Sequence, residues 1–261
     1  MNWSEIPAAA PVAMTGLLAF MERWKPRSTK DFRAASADQI RLLAERHGGS
    51  EALPPVYREF LATMGEAMGP WRLTRGTTSI SSLLEDARET DRERADPSRY
   101  LKFAIGEDDY NGRQPDDFFD LARPTQDGTD AFVFRLQEER LLRGSGAEHP
   151  FPTFSDLLRA VLVTKVALDL ERGSPPFFTF GRHPDVMART FGLLANLGFT
   201  TTELAASTTT IPLEARGRGA VALLRNPIDR DVSLRVRARG DAEERRIVEI
   251  IADHRAELMQ V

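Results

Sequence analysis

The chain has 261 residues and no cysteine, and its 35 lysine and arginine residues face 39 aspartate and glutamate residues. The missing cysteines exclude disulfide bonds, thiolate metal ligands and a cysteine nucleophile. The net charge of −4 provides no global basic field of the kind that indicates direct nucleic-acid binding. Hydrophobic residues form 41% of the chain, which is typical of a protein that buries a core.

The longest uncharged stretch covers residues 6–21 and contains Pro7 and Pro11. It is shorter than the roughly 20 apolar residues of a membrane span. It also lacks the basic start of a signal peptide. We therefore expect no membrane association, and the absence of cysteine adds to the expectation of a cytoplasmic location.

Start and stop signals predict several helices in the first two-thirds of the chain. A helix is expected from Ala13 to Trp24, and Ser36 to Gln39 match a capping box. Pro54-Pro55 begin a further helix, which ends at Gly65. The predicted core face of this helix consists of Val56, Tyr57, Phe60, Leu61 and Met64.

Aromatic and branched residues bounded by Gly, Pro, Asn and Asp predict the strands that follow. These strands cover residues 71–74, 100–105, 118–121 and 131–136. Thr153 to Asp156 then cap a long helix. The order predicts an α+β domain in which N-terminal helices pack on a mostly antiparallel or mixed sheet.

A domain boundary is predicted at residues 171–176, where Gly, Ser and two prolines interrupt the pattern. Beyond it, the pattern predicts a strand, a helix beginning at His183, several further short strands and a terminal helix beginning at Asp241. The predicted strands cover residues 177–180, 200–205, 209–213, 220–224 and 232–236. We therefore divide the chain into residues 1–173 and residues 174–261, the second part being a small α+β domain.

The residues most often used in catalysis do not form a recognisable motif. The four histidines, at positions 47, 149, 183 and 254, show no i, i+4 metal spacing. Arg216 to Gly219 are glycine-rich but precede a strand, so they indicate a turn and not a phosphate loop. We predict a protein that is not an enzyme and that uses neither a cofactor nor a metal ion.

The strongest local charge lies in residues 105–130, which carry eight carboxylates and two arginines, a net charge of −6. One interpretation is a polar loop between strands. The other is a recognition surface for the Arg and Lys residues of a basic protein, with an aromatic anchor, because acidic surfaces steer basic partners. The candidate partner-binding residues are Glu107, Asp108, Asp109, Tyr110, Asp116 and Asp117.

The last third of the chain has the opposite bias. Arg235, Arg237 and Arg239 alternate along a predicted strand, so their side chains share one face. This pattern predicts a solvated sheet face that is partly paired with acids, and an anionic or intramolecular acidic partner is the alternative.

Four segments resemble, in order, those of the SUKH superfamily, which includes fungal cell-wall synthesis regulators and many bacterial immunity proteins. The resemblance covers residues 36–165. The segments are Leu53 to Leu61 closing at Gly65, Tyr100 to Ala104, Asp108 to Gly112 followed by Phe118 to Leu121, and Phe154 to Leu158.

The resemblance implies an immunity protein that neutralises a bacterial toxin domain, often a nuclease, by direct binding. Nuclease inhibitors need an acidic surface because nucleases bind polyphosphate. An intracellular regulatory or scaffold protein is the alternative function, and a metal-dependent enzyme whose motif escapes detection is the third.

Overall fold

The computed structural model describes residues 12–74, 76–89, 96–109, 112–136, 151–168, 173–181, 185–207, 209–226 and 231–259. By contact, the chain forms two compact units. The first unit comprises residues 1–15 and 27–158, and the second comprises residues 16–26 and 159–261. Both units combine helices with antiparallel strands, so the predicted α+β class is confirmed. The predicted domain boundary after residue 173 implies that the fragments on either side fold by themselves. This boundary stays a prediction.

The described helices are α1 (Met14–Trp24), α2 (Ala37–Arg46), α3 (Pro55–Met64), α4 (Ile80–Glu89), α5 (Phe154–Leu162), α6 (Val186–Asn196) and α7 (Asp241–Met259). Apart from α4, for which no start signal is predicted, they begin close to their predicted start signals, and the start predicted at His183 lies outside the described residues. The capping box of α2 is present: Gln39 N–H donates to Ser36 Oγ at 3.2 Å, and Ser36 N–H donates to Gln39 Oε1 at 2.8 Å. Among these helices of the described residues, none has both the length and the apolar character needed to cross a membrane.

The first unit contains a four-stranded antiparallel sheet of order β3-β4-β7-β8. Its strands are β3 (Gly76–Thr77), β4 (Tyr100–Gly106), β7 (Asp116–Pro124) and β8 (Ala131–Leu136). Two smaller pairs accompany it: β1 (Phe32–Arg33) with β2 (Ala67–Met68), and β5 (Asp108–Asp109) with β6 (Gly112–Arg113).

An aromatic core joins α3, β4, β7 and α5. Tyr57 of α3 lies 5.0 Å from Phe119 and 5.4 Å from Phe154, measured between ring centroids. Phe103 of β4 lies 4.9 Å from Phe119, and Phe60 lies 5.2 Å from Phe154. All five side chains are at most 1% exposed, so the predicted core face of α3 is buried against the sheet.

Two local predictions are wrong. Residues 71–74 form no strand, since the Trp71 indole donates to Ser28 O at 2.9 Å within an irregular segment and the strand begins only at Gly76. The strand expected at residues 200–205 is confined to Thr200–Thr201. The long helix capped by Thr153 is present, and it continues beyond α5 as a π-helix at Val163–Leu168.

The second unit has a five-stranded antiparallel sheet of order β10-β11-β12-β13-β9. Its strands are β9 (Phe177–Thr179), β10 (Thr200–Thr201), β11 (Thr210–Ala215), β12 (Ala220–Arg225) and β13 (Ser233–Ala238). Alternate residues of β12 and β13 join side chains of α6 and α7 in one hydrophobic cluster. The π-helix contacts β12 and β13 as well.

The arginine face of β13 is only partly solvated. Arg237 is 4% exposed, donates to Leu168 O and Gly173 O, and pairs with Glu244 at 3.2 Å. The alternative of an intramolecular acidic partner therefore holds for Arg237. Arg235 and Arg239 are exposed.

Candidate partner-binding surface

The acidic segment begins where β4 ends. Gly106 closes β4, and a Cβ atom there would collide with the carbonyl oxygen of Gln114. Only glycine permits this close approach, and Gln114 N–H then donates to Glu107 O at 3.1 Å. The β5–β6 pair lies between these two residues, with Asp108 opposite Arg113 in the register. The fold therefore places Glu107 and the backbone of Asp108 and Asp109 at one end of the four-stranded sheet.

Asp116 is buried in an ionic cluster. Its Oδ1 accepts from Gly106 N–H at 2.7 Å, and its Oδ2 lies 3.0 Å from Lys102 Nζ. The same ammonium group lies 3.0 Å from Asp86 Oδ2. Asp116 is 2% exposed and Lys102 is 6% exposed, so this carboxylate is committed to the interior of the first unit.

Asp117 and Asp120 have comparable roles. The guanidinium of Arg135 donates to both oxygens of Asp117 at 2.9 and 3.2 Å, and Arg99 donates to both oxygens of Asp120 at 3.2 Å. Both aspartates are buried. Bidentate pairs of this kind fix strand positions and neutralise charge locally.

Asp130 holds the start of α5. Its two oxygens accept from Ala131 N–H at 2.7 Å and from Ser155 N–H at 2.8 Å. Burial raises the pKa of Asp130 to about 6, and the nearby Asp156 carboxylate acts in the same direction. Asp127 is exposed but accepts three hydrogen bonds from Thr125 and Thr129, which form its own turn. Asp130 and Asp127 therefore stabilise the fold through hydrogen bonds within the first unit.

The candidate residues are thus separated by the structure. Asp116 and Asp117 are buried, whereas the Glu107 side chain is 49% exposed. Asp108 and Asp109 are described as backbone of β5, and Tyr110 lies outside the described residues. Whether Glu107, Asp108 and Asp109 bind a partner stays a prediction, and the two buried aspartates have no surface with which to take part.

A groove that sequence reasoning did not find lies beside Glu107. It has a cavity volume of about 180 Å³ and lies between β2 and β3. Its lining residues are Glu66, Ala67, Met68, Gly69, Trp71, Arg72, Gly76, Thr77, Thr78, Ser79 and Glu107. The segments that form it are distant from Glu107 in sequence, so no local pattern indicates it.

The charged side chains of this groove are two carboxylates and an arginine. Nη1 of Arg72 donates to both oxygens of Glu107 at 2.8 Å, and both side chains are largely exposed. Glu66 Oε2 accepts from Ser81 Oγ at 2.8 Å. An exposed ion pair contributes only about 0–1 kcal/mol, so an incoming cation displaces Arg72 from Glu107 at little cost.

The apolar part of the groove comes from Trp71 and Met68. The two side chains are 9% and 5% exposed, and the hydroxyl of Thr78 lies 3.8 Å from Met68 Sδ. Arg and Lys side chains combine an apolar stem with a cationic head. The groove offers such a stem the small exposed edge of the Trp71 indole, and it offers the head the carboxylates of Glu66 and Glu107.

Two of the four histidines fall in the described part of the chain. His47 Nδ1 lies 2.6 Å from Pro97 O, and His254 Nδ1 lies 2.9 Å from Ile250 O. Within the described ranges, no cluster of three or more His, Asp or Glu side chains has an arrangement that could hold a metal ion.

Comparisons with family models, with curated proteins and with solved structures find no match to this chain.

Proposed function

We propose that this chain is a non-enzymatic protein-binding protein whose first unit is a SUKH-like domain. Its function is to neutralise a bacterial toxin domain in the cytoplasm by binding a basic surface of that toxin. The proposal rests on the groove beside Glu107 and on the residues that carry the SUKH resemblance.

The groove is the observation that carries the proposal. Its volume of about 180 Å³ lies below the roughly 300–1,000 Å³ of small-molecule pockets, and it suits a single long side chain. Glu66 and Glu107 supply carboxylates, and Trp71 supplies an apolar surface. This combination favours an Arg or Lys side chain presented by a protein partner.

The core of the first unit supports the resemblance. The four SUKH-like segments contribute Tyr57 and Phe60, Phe103, Phe119, and Phe154, and these rings contact one another at centroid distances of 4.9–6.4 Å. Segments of one domain signature are expected to share a core in this way.

The charge of the site fits a toxin that acts on nucleic acid. A nuclease domain carries a basic surface for its polyphosphate substrate, and an inhibitor that covers this surface presents carboxylates to it. Glu107 is exposed for that purpose, and Asp108 and Asp109 follow it directly in the chain.

Co-expression tests the proposal. The proposal predicts a large toxin gene beside the gene of this chain, and the full chain is produced together with the C-terminal domain of that toxin. We expect a complex that co-purifies and cells that resume growth. Toxicity that persists without a complex, although both proteins are folded, contradicts the proposal. A complex that forms without protection contradicts the immunity function and favours the scaffold function.

A further inference from the structure

The second unit has an open sheet edge at β9. This strand is the last one in the order β10-β11-β12-β13-β9, and no described strand pairs with its outer side. Its inner side pairs with β13 in the register Ser233 opposite Thr179 and Arg235 opposite Phe177.

The hydrogen bonds to β13 show which backbone groups face outward. Phe180 N–H donates to Val232 O at 2.8 Å, and Val236 N–H donates to Pro176 O at 3.3 Å. Because backbone groups of an antiparallel strand alternate in direction, those of Phe177 and Thr179 point away from β13. Arg255 Nη2 donates a hydrogen bond to Thr179 O at 3.3 Å, which agrees with this orientation and already occupies that outward acceptor.

Phe177 places an aromatic ring beside this edge. It is 56% exposed, and it lies on the sheet face opposite the hydrophobic cluster that includes Leu234. The guanidinium of Arg235 lies 5.4 Å from its ring centroid. Exposed aromatic side chains are frequent anchors of protein interfaces.

The charge at the edge is positive. Arg235 and Arg255 are both exposed, and neither forms a salt bridge to a carboxylate within the described residues. Arg216 pairs with Glu214 at 2.6 Å, whereas Arg235 and Arg255 share their lack of a described carboxylate partner with the exposed Arg245 and Arg246 of α7. The edge therefore combines outward backbone groups, an apolar ring and two arginines that have no described acidic partner.

We propose that β9 binds an extended acidic segment of another protein, which adds to the sheet as a sixth strand. The backbone groups of Phe177 and the N–H of Thr179 pair with the segment, as in other peptide complexes formed at a sheet edge. An apolar side chain of the segment contacts Phe177, and its carboxylates pair with Arg235 and Arg255. A second copy of this chain fits less well, because it would bring a second set of these two arginines to the same edge.

Titration of the ¹⁵N-labelled full chain tests this inference. The probe is an eight-residue peptide that repeats Val-Val-Glu-Glu, so that each strand face carries both residue types, and its control repeats Val-Val-Lys-Lys. We expect the glutamate peptide to shift the amide signals of Phe177 and Thr179. The lysine peptide should bind at least about tenfold more weakly, because lysine cannot form charge-assisted hydrogen bonds with Arg235 and Arg255.

Thr179→Pro removes an outward N–H without removing a bond to β13, whereas Thr179→Val keeps it. We expect Thr179→Pro to weaken binding about tenfold and Thr179→Val to leave it unchanged. The double variant Arg235→Gln with Arg255→Gln, which changes only exposed side chains, gives the same test if Thr179→Pro fails to fold.

Three results would overturn the inference. These are unshifted Phe177 and Thr179 signals at millimolar peptide, equal binding of the two peptides, and full binding by both the proline and the double glutamine variants. Sedimentation as a dimer that Thr179→Pro abolishes would assign the edge to a second copy and would also overturn it.

Discussion

Lys102 Nζ lies 3.0 Å from Asp116 Oδ2 inside the first unit. This contact explains why the most acidic segment of the chain is not a continuous acidic surface. Lys102 comes from β4 and Asp116 from β7, so the two charges meet only when the strands pair. Glu107, which lines the groove, keeps an exposed side chain.

Replacing Lys102 by methionine should lower the free energy of unfolding strongly. The variant keeps the stem of the side chain but leaves the carboxylates of Asp86 and Asp116 without their shared cation. Removing one partner of a buried ion pair costs about 3–5 kcal/mol. Denaturant unfolding measures this loss.

Arg72→Met is the matched control, because Arg72 forms an exposed pair with Glu107. Its expected cost is within about 1 kcal/mol. Equal losses for the two variants would contradict the assignment of Lys102 to the interior.

Phe60→Ala should destabilise the first unit by about 3–5 kcal/mol, as truncation of a buried aromatic residue does. Phe60 is 0% exposed and its ring stacks on Tyr57 at a centroid distance of 6.0 Å. Thermal and denaturant unfolding provide the measurement. A loss well below 1 kcal/mol would show that this face of α3 is not packed in solution.

Tyr57→Phe, in contrast, should increase the free energy of unfolding. The Tyr57 hydroxyl is buried and has no hydrogen-bond partner among the described residues, and burial raises the pKa of this phenol well above its ordinary value. An unsatisfied buried polar group costs stability, so its removal should raise the free energy of unfolding by about 1 kcal/mol. A decrease of that size would show that the hydroxyl has a partner in solution.

Much of the fold is predictable because its signals are local. The capping box at Ser36, the prolines before α3 and the alternation in β13 each act within a few residues. The pairs formed by β1 and β2 and by β5 and β6 have only two residues per strand. Strands of two residues give no periodic pattern, and the β1–β2 pair also depends on contact between segments that are distant in sequence.

The site was harder to predict for the same reason. A charge count treats Asp116, Asp117 and Glu107 alike, although Lys102 and Arg135 neutralise the first two and Glu107 remains exposed. The groove is formed by residues 66–69, 71–72 and 76–79 and by Glu107. Its position depends on the pairing of β3 with β4, which the sequence does not reveal.

Asp130→Asn should change the pH dependence of stability. With a folded pKa of about 6 against an ordinary value of 3.8, the folded state of the wild type binds more protons than the unfolded state between these values. The free energy of unfolding of the wild type should therefore fall, relative to that of the variant, by up to about 3 kcal/mol as the pH rises from 4 to 7.

Unfolding curves of both proteins from pH 4 to pH 8 measure this difference. Asparagine offers one acceptor oxygen for Ala131 N–H and Ser155 N–H, so the variant should be less stable throughout. Parallel pH profiles of the two proteins would contradict the raised pKa of Asp130.

The most direct test of the proposed function is charge reversal at the groove. The triple variant Glu107→Lys, Asp108→Lys and Asp109→Lys is compared with Glu45→Lys, Glu51→Lys and Glu59→Lys, which reverses exposed acids elsewhere in the first unit. Glu107→Lys alone separates binding from any effect on the β5–β6 pair. Thermal unfolding establishes that each variant is folded.

The deciding measurement is the affinity and association rate of each variant for the toxin domain at two salt concentrations. We expect the variant reversed at residues 107–109 to lose about a hundredfold in affinity and to protect cells no longer, whereas the control binds normally. Wild-type association should slow as salt rises, because steering by exposed charges is screened. Unchanged affinity and protection in a folded variant reversed at residues 107–109 would contradict the claim that the acidic groove binds the toxin.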